Sequence, residues 1–374
     1  MRVLYAMGSI NVEIGGPARS AQGLVCGLER LGVETTLLSF LPGDRPWYQG
    51  VRRFVAAERR GYGGMREVIA RAFDQARPEV VHSNGLWMPC IHMTIREAVR
   101  RGIPVIHAPR GSCEPLAMQD KKWKKRLAWW TYVRRDLRSV DAFHVTSAEE
   151  AAHMRQLGFS QPIHVVPNAV ELPEQDQGQW GRGKKEGDKR VVLYLGRIHV
   201  HKGLRELIAA WAQAANAGWT NGWELWLVGP DFGCKTELEA LVQTLGIGAA
   251  VRFLDAVSDA EKWGVYAQAD LFAMPSYSEN FGLSIAESLY AGVPVIATNT
   301  TPWAELVEER CGWWIGLGVD PIVTALREAV GLSDEARELM GRRGRALVER
   351  KYIWDAIALQ MRAVYESVLG IPWA

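Results

Sequence analysis

Short apolar runs alternate along the chain with longer stretches whose apolar residues recur at helical spacing. Runs such as Val191-Val192-Leu193-Tyr194-Leu195 and Leu271-Phe272-Ala273-Met274 have no polar side. A strand that is apolar on both sides belongs in a parallel sheet covered by helices on both faces. In the first half, strands are expected at Arg2–Met7, Val33–Ser39, Val80–His82, Pro104–His107, Ala142–Thr146 and Ile163–Val166. The second half repeats the rhythm at Val191–Leu195, Trp223–Val228, Val251–Leu254, Leu271–Met274, Pro294–Ala297 and Gly312–Ile315. Helical patterns separate these runs, as a doubly wound α/β sheet requires. The clearest helix carries Ala18, Ala21, Leu24, Val25, Leu28 and Leu31 on one stripe, with Pro17 in its first turn and Gly32 at its end.

From Glu171 to Arg190 the pattern stops. Gly178, Gly181, Gly183 and Gly187 stand among polar residues, which predicts a flexible connection. A chain of 374 residues that is 48% hydrophobic is long enough for two cores. The expected organisation is two doubly wound, Rossmann-like α/β domains over residues 1–170 and 191–352, joined by a linker over 171–190. A last helix within residues 353–374 is expected to cross back and brace the first domain.

Composition narrows the function. A formal charge of +2, with no arginine-rich tail or nucleic-acid motif, makes nucleic acid an unexpected partner. The five cysteines (Cys26, Cys90, Cys113, Cys234, Cys311) are scattered and include no Cys-x-x-Cys pair, which points away from disulfides and zinc and towards a reducing cytoplasm. The Arg2–Met7 run lacks the layout of a signal peptide, and nowhere do about eighteen apolar residues run together, so no membrane span is expected.

The candidate chemistry lies in Glu279-Asn280-Phe281-Gly282-Leu283-Ser284-Ile285-Ala286-Glu287, between an apolar run and a helical stretch ending at Gly292. Gly282 permits close backbone approach, and the helix start that follows directs unpaired N–H groups at an anion. The two carboxylates are placed to accept hydroxyls from different parts of one ligand, such as a sugar, a diphosphate and a ribose joined together. A loop glutamate and a glutamate salt-bridged on a helix face is the plain structural alternative. Basic residues favour the ligand reading: Arg197 follows the Val191–Leu195 strand, and Lys202-Gly203 opens a helix over about Leu204 to Asn216. Both fall at the carboxyl edge of the sheet, where open α/β sheets bind ligands. Gly15-Gly16 makes a similar tight turn at a helix start in the first half.

Together, Gly15-Gly16, Gly196-Arg197, Lys202-Gly203, Pro275-Ser276 through Glu279 and Glu287, and Ala291-Gly292-Val293-Pro294-Val295 resemble a family 4 glycosyltransferase of the GT-B fold over nearly the whole chain. His82-Ser83-Asn84-Gly85-Leu86-Trp87 and Ala108-Pro109-Arg110-Gly111-Ser112-Cys113-Glu114-Pro115 resemble a bacterial polysaccharide-assembly branch. The resemblance implies retaining transfer of a sugar from a nucleotide-diphosphate donor to an acceptor hydroxyl, without a metal or other cofactor. No Asp-x-Asp stands at a strand end to hold a cation, so Arg197, Lys202 and the helix start at Phe281–Ser284 are expected to neutralise the leaving group. By the same resemblance Glu279 holds donor-sugar hydroxyls, Glu287 the ribose, and the Gly16 backbone the diphosphate across a cleft that closes on the donor. Asn280, Phe281, Gly282, Leu283 and Ser284 surround the donor, and the turns at Gly229 and Val257 line the base. UDP- and GDP-sugars are the favoured donors.

The family often places a histidine near the reacting carbon in the first domain. Here that position falls on Arg110, a candidate contact for donor phosphate or an anionic acceptor, with a salt bridge to Glu114 as the alternative. His107 reads as packed within a strand. Asn84 and Trp87 are candidates to meet the acceptor, or else a turn asparagine and a buried indole. Asn168 reads as a hinge residue. Residues 121–130 hold five cations and three indoles, a composition suited to a helix lying on an anionic membrane surface, or to an exposed basic helix packed by its tryptophans. Docking there would suit a polyprenyl-diphosphate-linked glycan acceptor at the inner face of the cytoplasmic membrane. Two other functions share the motifs: a nucleotide-sugar-binding partner without catalysis, and a GT-B nucleotide-sugar epimerase.

Overall fold

A computed structural model describes residues 1–9, 16–41, 51–55, 61–113, 122–173 and 189–371. The chain forms two compact units, one of Met1–Ala169 with Trp354–Ala374, the other of Val170–Ile353. Most of the expected linker, residues 174–188, lies outside the described residues.

Among the described residues the first unit holds seven strands, β1 (Arg2–Ser9), β2 (Glu34–Leu41), β3 (Arg52–Val55), β4 (Val80–Asn84), β5 (Val105–Ala108), β6 (Ala142–Val145) and β7 (Ile163–Val165). All pair in parallel, in the order β3-β2-β1-β4-β5-β6-β7. Alternate residues of β1 face opposite cores: Leu4 and Ala6 pack with the Gly61–Ala76 and Pro89–Arg100 helices, whereas Val3, Tyr5 and Met7 pack with the Gly16–Arg30 helix. Burial on both sides accounts for the unbroken apolar run in the sequence. β3 was not expected. Its first two residues, Arg52 and Arg53, are exposed at the sheet's edge, so it carries half the apolar signal of its neighbours.

The Trp354–Val368 helix belongs to this unit. It packs on the Gly16–Arg30 helix at two small residues: a Cβ on Gly23 would lie 2.0 Å from the Trp354 ring, and one on Gly27 would lie 2.7 Å from Ala358 Cβ. Arg30 adds an ion pair to Asp355 at 2.8 Å.

The second unit holds β8 (Arg190–Leu195), β9 (Trp223–Val228), β10 (Val251–Leu254), β11 (Leu271–Met274), β12 (Val295–Thr298) and β13 (Gly312–Ile315), all parallel, in the order β10-β9-β8-β11-β12-β13. Its core joins residues of the central strands, such as Leu193, Leu227, Phe272 and Ile296, to helix residues including Trp211, Leu289 and Leu326. Each unit is thus a doubly wound α/β layer structure.

Candidate active site

In the second unit the strand order changes direction between neighbours β8 and β11. Loops leaving such a pair diverge and open a crevice at the carboxyl edge. Arg197 follows β8; the Tyr194 hydroxyl donates to its carbonyl at 2.7 Å, and its guanidinium lies 5.3 Å from the Phe232 ring centre. A Cβ on Gly229, after β9, would come within 2.0 Å of the Gly196 carbonyl oxygen, so these two loops touch through backbone. Lys202 ends a 3-10 turn, and Gly203 then takes a left-handed conformation, φ 65°, before the Leu204–Asn216 helix. A Cβ there would lie 2.0 Å from the Pro275 carbonyl oxygen, so glycine lets the Lys202 loop rest on the end of β11. The Ser276 hydroxyl, at 3.1 Å, and the Tyr277 amide, at 2.9 Å, both donate to the His201 carbonyl. Lys202 Nζ consequently pairs with the Glu279 carboxylate, the two side chains being only 15% and 13% exposed.

Beyond Glu279 and the half-buried Asn280, Phe281 is buried against Trp303 and Tyr352, with ring centres 5.1–5.5 Å apart. Gly282, at φ 80°, starts the Leu283–Tyr290 helix, and no side chain caps it. Bonding within the helix begins with the Ile285 amide to the Gly282 carbonyl at 2.9 Å, so the Leu283 and Ser284 amides precede the ladder. Glu287 lies inside this helix. Its Oε1 accepts from Lys262 Nζ at 2.7 Å and its Oε2 from the Tyr266 hydroxyl at 3.0 Å. The salt-bridged alternative for Glu287 is therefore realised, with both partners buried, whereas Glu279 is paired and little exposed rather than a solvated loop residue. Lys262 and Tyr266 went unnoticed in the sequence, where nothing links them to a residue more than twenty positions on. Gly229 donates its amide to Leu254 at 3.1 Å, and Val257, after β10, packs against the core.

In the first unit, Asn84 is the buried last residue of β4 rather than part of a turn after it. Arg110 follows β5 with φ 54°, a left-handed backbone that non-glycine residues hold only under constraint. Its guanidinium donates to Asn84 Oδ1 at 3.1 Å, Asn168 Oδ1 at 2.9 Å and the Tyr5 hydroxyl at 3.4 Å. These recorded partners are neutral, so the cation stays uncompensated by them. Glu114 lies outside the described residues, and so does Gly15, while Gly16 opens the Gly16–Arg30 helix. Asn168, expected as a hinge residue, is part of the arginine's cradle, as is Tyr5, which no motif singles out.

His107 is buried, bonds Ser83 Oγ through Nδ1 at 2.9 Å, and burial draws its pKa down to about 3, so it stays neutral. Burial likewise lowers His82 and His144. The Val166 carbonyl can only accept, so His144 Nε2 carries the proton in their 2.9 Å contact. His82 Nε2 then donates to His144 Nδ1 at 3.1 Å, and the Tyr365 hydroxyl donates to His82 Nδ1 at 2.8 Å. This chain ties the C-terminal helix to the sheet. Trp87 is half-buried against the core, with Lys125 Nζ 5.4 Å from its ring centre.

The basic segment is not one regular helix. An α-helix over Lys122–Ala128 passes into a π turn at Trp129–Val133. Trp129 turns inward against Phe159, with ring centres 6.2 Å apart, so it leaves the set of surface indoles. Trp123, Leu127 and Trp130, at four- and three-residue spacing, are 69%, 60% and 67% exposed, with Lys124 and Arg134 beside the two rings. Among the described residues, no helix is long and apolar enough to cross a membrane, and no group of three or more His, Cys, Asp or Glu could hold a metal.

Residues 15–169 match the family model described as glycosyl transferase 4-like domain, and residues 179–347 the one described as glycosyl transferases group 1. The chain is 31% identical over 189 residues, 48% of its length and 46% of the relative's, to a GDP-mannose:cellobiosyl-diphosphopolyprenol alpha-mannosyltransferase of Komagataeibacter xylinus. It is 27% identical over 322 residues, 82% of its length and 70% of the relative's, to a D-inositol 3-phosphate glycosyltransferase of Segniliparus rotundus. The chain spans about half the length of the mannosyltransferase and of several further relatives. Anabaena Alr3699/HepE, solved in complex with UDP and glucose, superposes with a TM-score of 0.76 at 18% identity, covering 98% of this chain and 100% of that one.

Proposed function

Because the chain belongs to the family 4 type of glycosyltransferases, with a 4-like and a group 1 domain and the GT-B fold, we propose that it transfers a sugar, with retention, from a nucleotide-diphosphate sugar to a hydroxyl of a glycan or lipid-linked glycan. The observation that carries this reading is the meeting, at adjacent ends of β8 and β11, of the Lys202–Glu279 pair with a helix start that no side chain caps. Positive charge and free amides suit a diphosphate; carboxylates beside them suit hydroxyls. Arg197, Lys202 and the Leu283 and Ser284 amides take the diphosphate and stabilise it as it leaves, so the reaction runs without a metal ion. Glu279 receives the donor sugar, Glu287 the ribose, and Gly229 and Val257 border the base. Within the first unit, Arg110 suits an anionic group of a substrate, and Asn84 with Trp87 suits the acceptor.

Screening UDP-, GDP-, ADP- and dTDP-sugars by thermal shift identifies the donor, since a ligand at 100 times its Kd adds about 2.7 kcal/mol to stability. A UDP- or GDP-sugar is expected to raise the melting temperature and to yield glycosylated product. A shift without turnover on any acceptor would instead favour a binding partner.

A lipid-linked acceptor gains support from the mannosyltransferase relative, whose name specifies a diphosphopolyprenol-linked substrate. The exposed Trp123, Leu127 and Trp130 face, with Lys124 and Arg126 alongside, suits an anionic bilayer surface. Each cation near a charged leaflet contributes about 1 kcal/mol, so Lys124→Gln with Arg126→Gln is expected to weaken vesicle binding by about 30-fold. Flotation with phosphatidylserine vesicles measures this. An unchanged bound fraction rules the segment out as the contact, as does binding that persists after Trp123→Ser and Trp130→Ser.

A further inference from the structure

We propose that Lys262 and Tyr266 are positioning residues that hold the Glu287 carboxylate for the paired hydroxyls of a ribose, and thereby set a preference for ribonucleotides over 2′-deoxyribonucleotides. The inference rests on the reading that Glu287 meets the ribose of a nucleotide donor.

Lys262 and Glu287 are only 8% and 9% exposed. Beside Lys262 on its helix, Trp263 and Tyr266 are buried; around Glu287, Ile285, Ala286, Leu289 and Tyr290 are buried. Taking two charges out of water is costly, and an apolar pair of similar volume commonly serves stability as well or better. A buried ion pair at this place therefore asks for another reason than cohesion.

The geometry supplies one. Lys262 and Tyr266 are four residues apart on the Lys262–Gln268 helix and so share a face. Lys262 takes Oε1 of Glu287 at 2.7 Å, and the Tyr266 hydroxyl lies 3.0 Å from Oε2. That hydroxyl also lies 3.2 Å from the Ser284 carbonyl, in the first turn of the helix whose amides are assigned to the diphosphate. Asp259, 3.7 Å from Lys262 Nζ, completes the charged surroundings of the lysine. The carboxylate is thus fixed in rotation and in position relative to the phosphate end of the site. An ionised carboxylate has about four lone-pair positions; these two partners occupy two and leave two for neighbouring hydroxyls. A ribose offers both hydroxyls. A 2′-deoxyribose leaves one acceptor unpaired in a buried setting, which is where a site discriminates most strongly. Without Lys262 the carboxylate is free to turn, and the match to two hydroxyls is lost.

Calorimetric titration of the full chain with UDP, 2′-deoxy-UDP, GDP and 2′-deoxy-GDP tests this. The wild type is expected to favour the ribonucleotide of its preferred base by about tenfold. Lys262→Met is expected to bring that ratio to within about twofold, mainly by weakening the ribonucleotide, with Tyr266→Phe intermediate. Tyr266→Phe keeps the ion pair and nearly the same volume, so it reports even if Lys262→Met does not fold. A purely structural role would weaken both sugars equally. A ratio unchanged in both variants overturns the inference while the donor assignment stands; a wild type that binds none of the four nucleotides, nor ADP or dTDP, overturns both.

Discussion

Lys202→Ala is expected to lower turnover at saturating donor by about 10²–10³-fold while the protein stays folded. The magnitude follows from what Lys202 faces. Its ammonium is held by Glu279 where little water reaches either group, so its field on a nearby diphosphate is screened less than that of a surface lysine. Removing it takes away one positive charge and also leaves the Glu279 carboxylate uncompensated beside the phosphates. Loss of binding in the ground state would appear in KM; loss of leaving-group stabilisation appears in kcat, and the larger share is expected there. The comparison with Glu279→Gln separates two roles. If Glu279 only holds Lys202, the double variant is faster than Lys202→Ala alone, because the uncompensated carboxylate is gone. If Glu279 also receives donor-sugar hydroxyls, the double variant is slower still, and Glu279→Gln loses affinity for the nucleotide sugar while keeping it for the free nucleotide. Initial rates with the donor found by thermal shift decide between these outcomes, and a Lys202→Ala rate within threefold of wild type would remove the lysine from the chemistry.

Gly203→Ala is expected to lower the melting temperature by about 5–15 °C and to cut turnover with it. Two penalties combine. An L-residue held at φ 65° costs roughly 1–2 kcal/mol, and the new Cβ would stand 2.0 Å from the Pro275 carbonyl oxygen, a contact that only backbone movement relieves. That movement separates the Lys202 loop from the end of β11 and loosens the pair with Glu279. Gly222 supplies the control. It has φ 79° but nothing within 4 Å of its would-be Cβ, so Gly222→Ala carries the conformational cost alone and should shift the melting temperature less, by about 2–8 °C. Equal shifts for the two variants would mean that the close approach to Pro275 has no energetic weight.

The central strands of the second unit, β8, β11 and β12, are readable because they are buried on both faces and so leave unbroken apolar runs. β3 is not, since its two arginines lie at an exposed edge. The resemblance to glycosyltransferases also stands in the chain itself, as the ordered series Gly196-Arg197, Lys202-Gly203 and Glu279 to Glu287, although the Lys202–Glu279 contact spans 77 positions. What stayed hidden was made by folding. Tyr5 reaches Arg110 across 105 positions, and Lys262 reaches Glu287 across 25, through packing of elements that no local pattern joins. Trp129 was grouped with the surface indoles by composition, whereas the π turn at Trp129–Val133 carries it inward onto Phe159. Arg110 carries no signal of its left-handed backbone either, because that conformation is imposed by its surroundings; the cradle of Asn84, Asn168 and Tyr5 explains why an arginine is kept there despite the strain.

Sugar transfer measured in excess EDTA, against the same reaction with added magnesium, bears most directly on leaving-group stabilisation by Arg197, Lys202 and the helix amides. Initial rates that agree within about twofold are expected, since two cationic side chains and a helix start already offset the charge of the departing diphosphate. Activity that vanishes in EDTA and returns with magnesium would contradict that assignment.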